Sequence, residues 1–316
     1  IALAQIDIKR AVSFLVSSWL GLLFLAVGAG AGDAAWRMLL VYPLPMALVL
    51  LALGTVVSSN VTQDLTQLGG LWSRRPLMGI AFLVGAAGLV GLPPLAGFGA
   101  LRAMTASLSA SQAPLLLSAV VLLTNGLISA ALVRIFGLIW GGKPSSFTKR
   151  SAEVLWLMVL PAMVATGLVL HLPVLISRAG IGETWGPMAL PLLASTLLGI
   201  TAGSVLYLFS TEHLPKLSGP LAGVQEWLAA DLHTEGLYRR TVVGLVAALA
   251  ATSSWVDRAL VDGFSNRSGD LALEGARRLS LSTTGRVQAY AFTVLVGVVL
   301  MGLWILTRHA PAFLSF

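Results

Sequence analysis

Seven apolar runs, each about as long as a bilayer is thick, dominate this chain. They cover roughly residues 11–31, 35–59, 77–105, 112–140, 153–177, 187–209 and 288–308. A helix needs about 20 apolar residues to cross the hydrocarbon core. In lipid, backbone polar groups must be satisfied within the segment, so such runs imply spanning helices. Residues 1–6 read as the tail of an earlier span, and Ile1 rather than Met opens the chain. The expectation is therefore a fragment, or a polypeptide read from its middle onward.

Composition agrees. Of 316 residues, 57% are hydrophobic and only 10% are charged. Soluble domains carry about 25% charged residues; this chain has too few to cover a soluble surface, so its apolar excess faces lipid. The net charge of +7 suits basic loops at a membrane face rather than nucleic acid. There are no cysteines, which excludes disulfides, zinc–thiolate sites and Cys-ligated clusters within this chain.

The basic residues alternate between loops. Lys9 and Arg10, then Arg74 and Arg75, then Lys143, Lys149 and Arg150, then Lys216 and the 210–287 segment fall on one side; Arg37 stands alone on the other, and Arg178 is offset by Glu183. This pattern places the first set on the cytoplasmic side. Residues 221–287 mix charge with apolar residues, and Thr241–Val256 is short for a span. That segment is expected to lie along the membrane or against other helices, with 288–316 as a final anchoring span.

Two spans carry prolines, Pro43 and Pro45 in the second and Pro93-Pro94 after Gly91 in the third. Proline removes a donor and clashes with the preceding turn, so each helix should kink or open. Broken intramembrane helices mark ion paths in many transporters and are simple packing kinks in others. The ionisable residues within spans are Arg102, Arg134 and His171. Intramembrane charge is costly and points to function by default. Arg102 should sit over a hydrated cavity or snorkel to the interface. Arg134, near Trp140 and Gly141-Gly142, should snorkel or line a proton path. His171, beside Pro173, suits proton transfer at neutral pH or a structural place at a span end. No nucleotide-binding loop, dinucleotide fingerprint or HExxH zinc motif is present.

Four stretches together resemble the antiporter-like subunits of complex I. They are Asp7-Ile8-Lys9-Arg10 with Ser17-Ser18-Trp19; Gly69-Gly70-Leu71 with Gly91-Leu92-Pro93-Pro94-Leu95-Ala96-Gly97-Phe98; Asn125 to Gly141 with Arg134-Ile135-Phe136; and a C-terminal set. That last set comprises Tyr238, Ser254-Trp255-Val256-Asp257-Arg258, Asp262-Gly263 and Thr284-Gly285-Arg286-Val287-Gln288-Ala289-Tyr290. It resembles the extension of the subunit 5, or F, family of NAD(P)H-quinone oxidoreductases.

The resemblance implies an all-α polytopic bundle. Residues 1–145 would be the second antiporter-like repeat, 146–210 additional spans, 211–287 a lateral helical segment and 288–316 the anchor. It implies a membrane-arm subunit with no cofactor of its own, plastoquinone and iron–sulfur clusters being held by other subunits. Its partners would be a second antiporter-like protein of the D type, small membrane subunits, lipids and, in a CO2-uptake variant, a carbonic-anhydrase-like subunit, with no nucleic acid. The setting implied is a cyanobacterial thylakoid membrane.

The chain departs from the family where protons are relayed. Tyr42 stands at the family's His position and Met46 at its Lys position. Leu101 replaces the exit-side Lys, and Arg102 takes the adjacent acidic position. A buried lysine cycles its charge, methionine cannot, and arginine stays protonated. The remaining proton-path candidates are Tyr42, Arg102, Asn125, Arg134 and His171. Three functional readings follow: a proton-translocating subunit of a plastoquinone oxidoreductase, a cation/proton antiporter or inorganic-carbon transporter subunit, and a non-pumping brace.

Overall fold

The computed structural model describes residues 1–316 apart from 61, 110, 112, 152–154, 182–184, 187, 209–219, 283–284 and 314–316. Glu183, Lys216 and Thr284 lie outside the described residues, as do the beginnings of the runs expected at 112, 153 and 187. The chain forms two compact units, Ile1–His233 and Thr234–Phe316.

In the first unit, α1 (Ile8–Gly28) starts at Asp7, whose carboxylate accepts the Arg10 amide at 2.9 Å. It satisfies one of the donors every helix start leaves bare. The second span is α2 (Gly32–Val41) and α3 (Pro43–Ser59), joined at Tyr42. Tyr42 keeps right-handed helical dihedrals, φ −75° and ψ −30°. Pro43 and Pro45 therefore bend this span without opening it, and Gly32–Ser59 remains one apolar crossing of 28 residues.

The third run is a true break. α4 (Pro76–Leu89) and α5 (Ala96–Leu108) are separated by non-helical backbone from Val90 to Leu95. At about 1.5 Å per residue, 14 and 13 residues each reach only some 20 Å. Neither half crosses a bilayer core alone. α6 (Pro114–Ile139), the short α7 (Ser146–Arg150), α8 (Trp156–Arg178), α9 (Ala189–Tyr207) and α10 (Pro220–Ala229) complete the unit. Length and apolarity make seven described helices able to span a membrane. Their roster differs from the sequence expectation: the broken helix is absent from it, and Asp231–Leu281 is included, its most apolar 18 residues reaching a mean hydropathy of 1.2.

The basic loops meet on one face. Ile8 donates to Gln63 O at 3.1 Å, and Gly70 to Gly141 O at 2.6 Å. Arg74 Nη1 donates to Lys149 O at 3.0 Å and Ser151 O at 2.9 Å. The neighbouring Arg75, 6% exposed, bonds Ser59 and Ser151. On this face Gln5 and Arg10 also hold Asp231, Arg10 at 3.3 Å. Asp231, Leu232 and His233 all have φ between 54° and 57°, a left-handed stretch that costs a non-glycine chain about 1–2 kcal/mol per residue. On the opposite face Arg37 Nη1 reaches Ile181 O at 3.1 Å.

In the second unit, helix runs without interruption from Thr234 to Ser282. α11 (Thr234–Tyr238), α12 (Gly244–Val256) and α13 (Gly263–Ser282) are linked by π-helical turns at Arg239–Val243 and Asp257–Asp262. The run is about 70 Å long at 1.5 Å per residue, more than twice the hydrocarbon thickness. α14 (Val287–Phe313) follows, and its Val287–Arg308 stretch is apolar enough to span.

Candidate functional site

The break between α4 and α5 frees backbone groups inside the bundle, and polar side chains from two other helices meet them. Asn125 of α6 accepts the Gly91 amide hydrogen through Oδ1 at 3.1 Å. Thr196 of α9 places its hydroxyl 3.0 Å from Gly91 O and 3.0 Å from Leu192 O, and its one proton serves either. Asn125 Nδ2 donates to Thr196 at 2.8 Å and to Ser195 at 3.3 Å. Asn125 is 2% exposed and Thr196 is fully buried. An unmet amide at such depth would cost several kcal/mol, and the clamp removes that cost.

Close backbone approach brings the clamp together. A Cβ on Gly199 would lie 2.1 Å from Gly126 O, and one on Gly203 2.9 Å from Ala130 O. α6 and α9 therefore touch through glycine, as small-residue membrane interfaces do. Gly97 of α5 plays the same part across the break, where a Cβ would lie 2.2 Å from Gly88 O of α4.

Beside the break, toward the face opposite the basic loops, lies a cavity of about 610 Å³ lined by Arg37, Pro93, Pro94, Phe98, Ser177 and Trp185 among others. Phe98 and Trp185 pack with ring centroids 5.5 Å apart. Arg102 lies one turn further along α5, half-buried, its Nη1 pressed against Gly186, where a Cβ would come within 2.6 Å. No carboxylate is among the described lining residues. Such a vestibule can hold water under a fixed positive field, since arginine does not deprotonate in proteins.

The other sequence candidates lie elsewhere. Tyr42 is 7% exposed, its ring 6.2 Å from that of Trp19, and its hydroxyl has no partner among the described residues. Met46 borders the same small apolar groove of about 170 Å³. Leu101 is 1% exposed in the core. Met46 and Leu101, the positions where the resemblance implies lysines, are thus apolar packing positions. Arg134 does not snorkel: it is completely buried, its Nη1 3.4 Å from Ala2 O and its guanidinium 5.5 Å from the centre of the Tyr207 ring. His171 is exposed on α8, its Nδ1 2.8 Å from Gly167 O, and does not line the cavity.

In the second unit, Asp257, Arg258 and Asp262 fall in one π-helical turn, and Tyr238 immediately precedes the other. Trp255 is exposed, Arg258 Nε donates to Ser254 O at 3.2 Å, Gln288 is the second residue of α14, and the Tyr290 hydroxyl accepts from the Gly285 amide at 3.4 Å. The two π turns begin 18 residues apart, about five helical turns, so both widen one face.

The structure joins Asn125 to the break and sets Arg102 beside the cavity; Tyr42, Arg134 and His171 occupy separate places. Sequence reasoning missed Thr196, Ser195 and Trp185, and treated Arg37 as a loop charge. The Gly199 and Gly203 spacing next to Ser195-Thr196 carried the signal for a close, polar helix interface.

The chain resembles known proteins. Residues 1–129 match the family model described as NADH:quinone oxidoreductase/Mrp antiporter, transmembrane. NAD(P)H-quinone oxidoreductase subunit 5, organellar chromatophore 2, of Paulinella chromatophora is 35% identical over 305 residues, covering 95% of this chain and 49% of the relative. The chloroplastic subunit 5 of Nephroselmis olivacea is 27% identical, covering 98% and 52%. NADH-quinone oxidoreductase subunit L of Pseudomonas aeruginosa is 31% identical, covering 95% and 50%. The chain spans about half the length of the curated relatives it matches. It is an integral membrane protein with an antiporter-like transmembrane fold.

Proposed function

From the relationship of this chain to subunit 5 of NAD(P)H-quinone oxidoreductases, which runs along 95% of its length, we propose that it serves in the membrane arm of such a complex. Electron transfer to a quinone takes place in other subunits, which hold the iron–sulfur clusters. This chain contributes to proton translocation coupled to that transfer, in a thylakoid-type membrane. Its partners are the neighbouring antiporter-like and small membrane subunits.

The observation that carries the reading is the clamped break: a discontinuous helix with Gly91 held by Asn125 and Thr196, beside a vestibule lined by Arg37, with Arg102 one turn further along α5. Conduction here rests on trapped water, the fixed charge of Arg102 and the Tyr42 hydroxyl, because Met46 and Leu101 carry no proton. The finer reading is a CO2-uptake variant working with a carbonic-anhydrase-like subunit. Deleting the gene tests it: uptake of CO2 is lost while respiration persists. Retained uptake sinks that variant.

One observation favours a second reading. Both family lysine positions are apolar and packed, which suits a non-pumping brace. Arg102→Gln in the assembled complex separates the two: lower proton release per electron at normal assembly supports translocation, and unchanged release supports the brace.

A further inference from the structure

His171 stands on the outward face of α8. That helix packs on α3 and α4 and buries Val159, Ala162, Ala165, Thr166 and Val169. Leu160, Val164, Leu168, His171, Leu175 and Arg178 lie on the opposite side, within an arc of about 80° at roughly 100° per residue. All six are exposed. Gly167 borders this stripe, and a Cβ there would meet nothing within 4 Å. His171 precedes Arg178, the last residue of α8, by seven positions, so its Cα lies about 10 Å inside the end of the span. A helical side chain leans toward the N-terminus. The 2.8 Å between Nδ1 and Gly167 O sets the ring over the preceding turn, deeper still. Gly167 O can only accept, so Nδ1 donates, and in the neutral ring Nε2 is left as a lone-pair acceptor. Nε2 has no hydrogen-bond partner among the described residues.

Hydrocarbon offers that nitrogen nothing: acyl chains carry no donor, and water is absent at this depth. Close approach at small residues and interhelical hydrogen bonds hold helices together in lipid. We propose that the stripe docks a transmembrane helix of a neighbouring subunit, which presents a hydroxyl or carboxamide donor to His171 Nε2 and a carboxylate near Arg178. The polar pattern selects this partner. The stripe holds a cation and an acceptor and no acidic residue, so its complement is an acid and a donor. A second copy, set with like positions facing, fails that match: two Nε2 acceptors cannot bond each other, and two Arg178 side chains repel. α8 lies beyond residues 1–129, which match the antiporter model, and its stripe points away from the helices it packs on. Gly167 lets the partner's backbone come close one turn from His171. Docking of this kind rests on membership of a multisubunit membrane arm, the function proposed for the chain.

Crosslinking in the full-length protein, purified with its assembly, tests this. The photoreactive residue benzoylphenylalanine replaces Leu168, and illumination should join it to a membrane-spanning peptide of a different subunit, identified by mass spectrometry. His171→Leu keeps an apolar surface and removes the acceptor. It should lower that product about threefold after a detergent wash, the worth of an average intramembrane hydrogen bond. His171→Gln, whose side-chain carbonyl still accepts, should restore the yield. Because His171 is exposed, both variants are expected to fold. Crosslinks only to lipid, to a second copy or to another segment of the same polypeptide overturn the proposal. So does a yield unchanged by leucine or not restored by glutamine. If the chain purifies without any other subunit, the membrane-arm reading fails with it. If it co-purifies and Leu168 joins none of its neighbours, the docking face alone fails.

Discussion

Asn125 Oδ1 lies 3.1 Å from the Gly91 amide nitrogen, 34 residues away in sequence, and caps the helix end that Pro93-Pro94 opens. The side-chain amide also donates to Thr196, so one residue supplies an acceptor to α4–α5 and a donor to α9. The pair ties three helices at one buried point. Replacing Asn125 by Leu keeps the bulk and strands the Gly91 amide. The expected loss is about 1–3 kcal/mol of stability, read as a lower unfolding midpoint of the assembled protein. Thr196→Val should cost less, because the Thr196 proton is shared between two carbonyls and no backbone donor is stranded. The double variant should be less damaging than the sum of the two, since both act on one network.

Glycine contacts give a second expectation. Gly199→Ala would drive a methyl group to 2.1 Å from Gly126 O, and Gly97→Ala to 2.2 Å from Gly88 O. Both neighbours are backbone, so helices must move apart, at about 1–3 kcal/mol each. At Gly21 and Gly54 an added methyl group would meet nothing within 4 Å, and alanine there should be neutral or slightly stabilising by helix propensity. Four alanine variants compared by thermal unfolding check the contrast. Equal effects at all four positions would show that α6 and α9 are not in glycine contact.

The difference between these sites shows what the sequence alone could reveal. Spans and the Pro93-Pro94 break were legible because period, length and proline act locally. The Pro43–Pro45 region was only half legible: both prolines sit in the first turn of α3, where the missing donors matter least, so the span bends and does not open. Arg134 was misread because burial depends on Ala2 and Tyr207, far apart in sequence, closing over it. The clamp partners of Gly91 were invisible for the same reason. Whether the lateral segment is one helix was not legible, because charges and glycines interrupt its pattern; the π turns at Arg239–Val243 and Asp257–Asp262 carry the helix from Thr234 to Ser282 without ending it.

The absence of cysteine makes accessibility a clean third test. Ser177 borders the vestibule and is exposed, whereas Lys143 is exposed among the basic loops at the other face. Single variants Ser177→Cys and Lys143→Cys in sealed vesicles should react with a charged, membrane-impermeant thiol reagent from opposite sides. Labelling of both positions from one side would contradict the alternation of spans.

Tyr42 carries the last expectation, because structure and mechanism pull apart there. Its hydroxyl is buried with no partner among the described residues, so removing it breaks no hydrogen bond seen in this fold. Tyr42→Phe retains the ring packed 6.2 Å from Trp19 and should leave stability unchanged, or raise it by up to about 1 kcal/mol as an unmet polar group is lost. Its effect on proton release then reports on function alone. If the hydroxyl relays protons through water at the bend, release per electron falls in a complex that assembles normally. Tyr42→His, which installs a titratable side chain at the same place, should keep or increase release, since imidazole titrates near neutral pH. Unchanged release in both variants, measured with a pH-sensitive dye in sealed vesicles, would take Tyr42 out of any proton path. The vestibule lined by Arg37, with Arg102 one turn further along α5, would then be the remaining candidate to test.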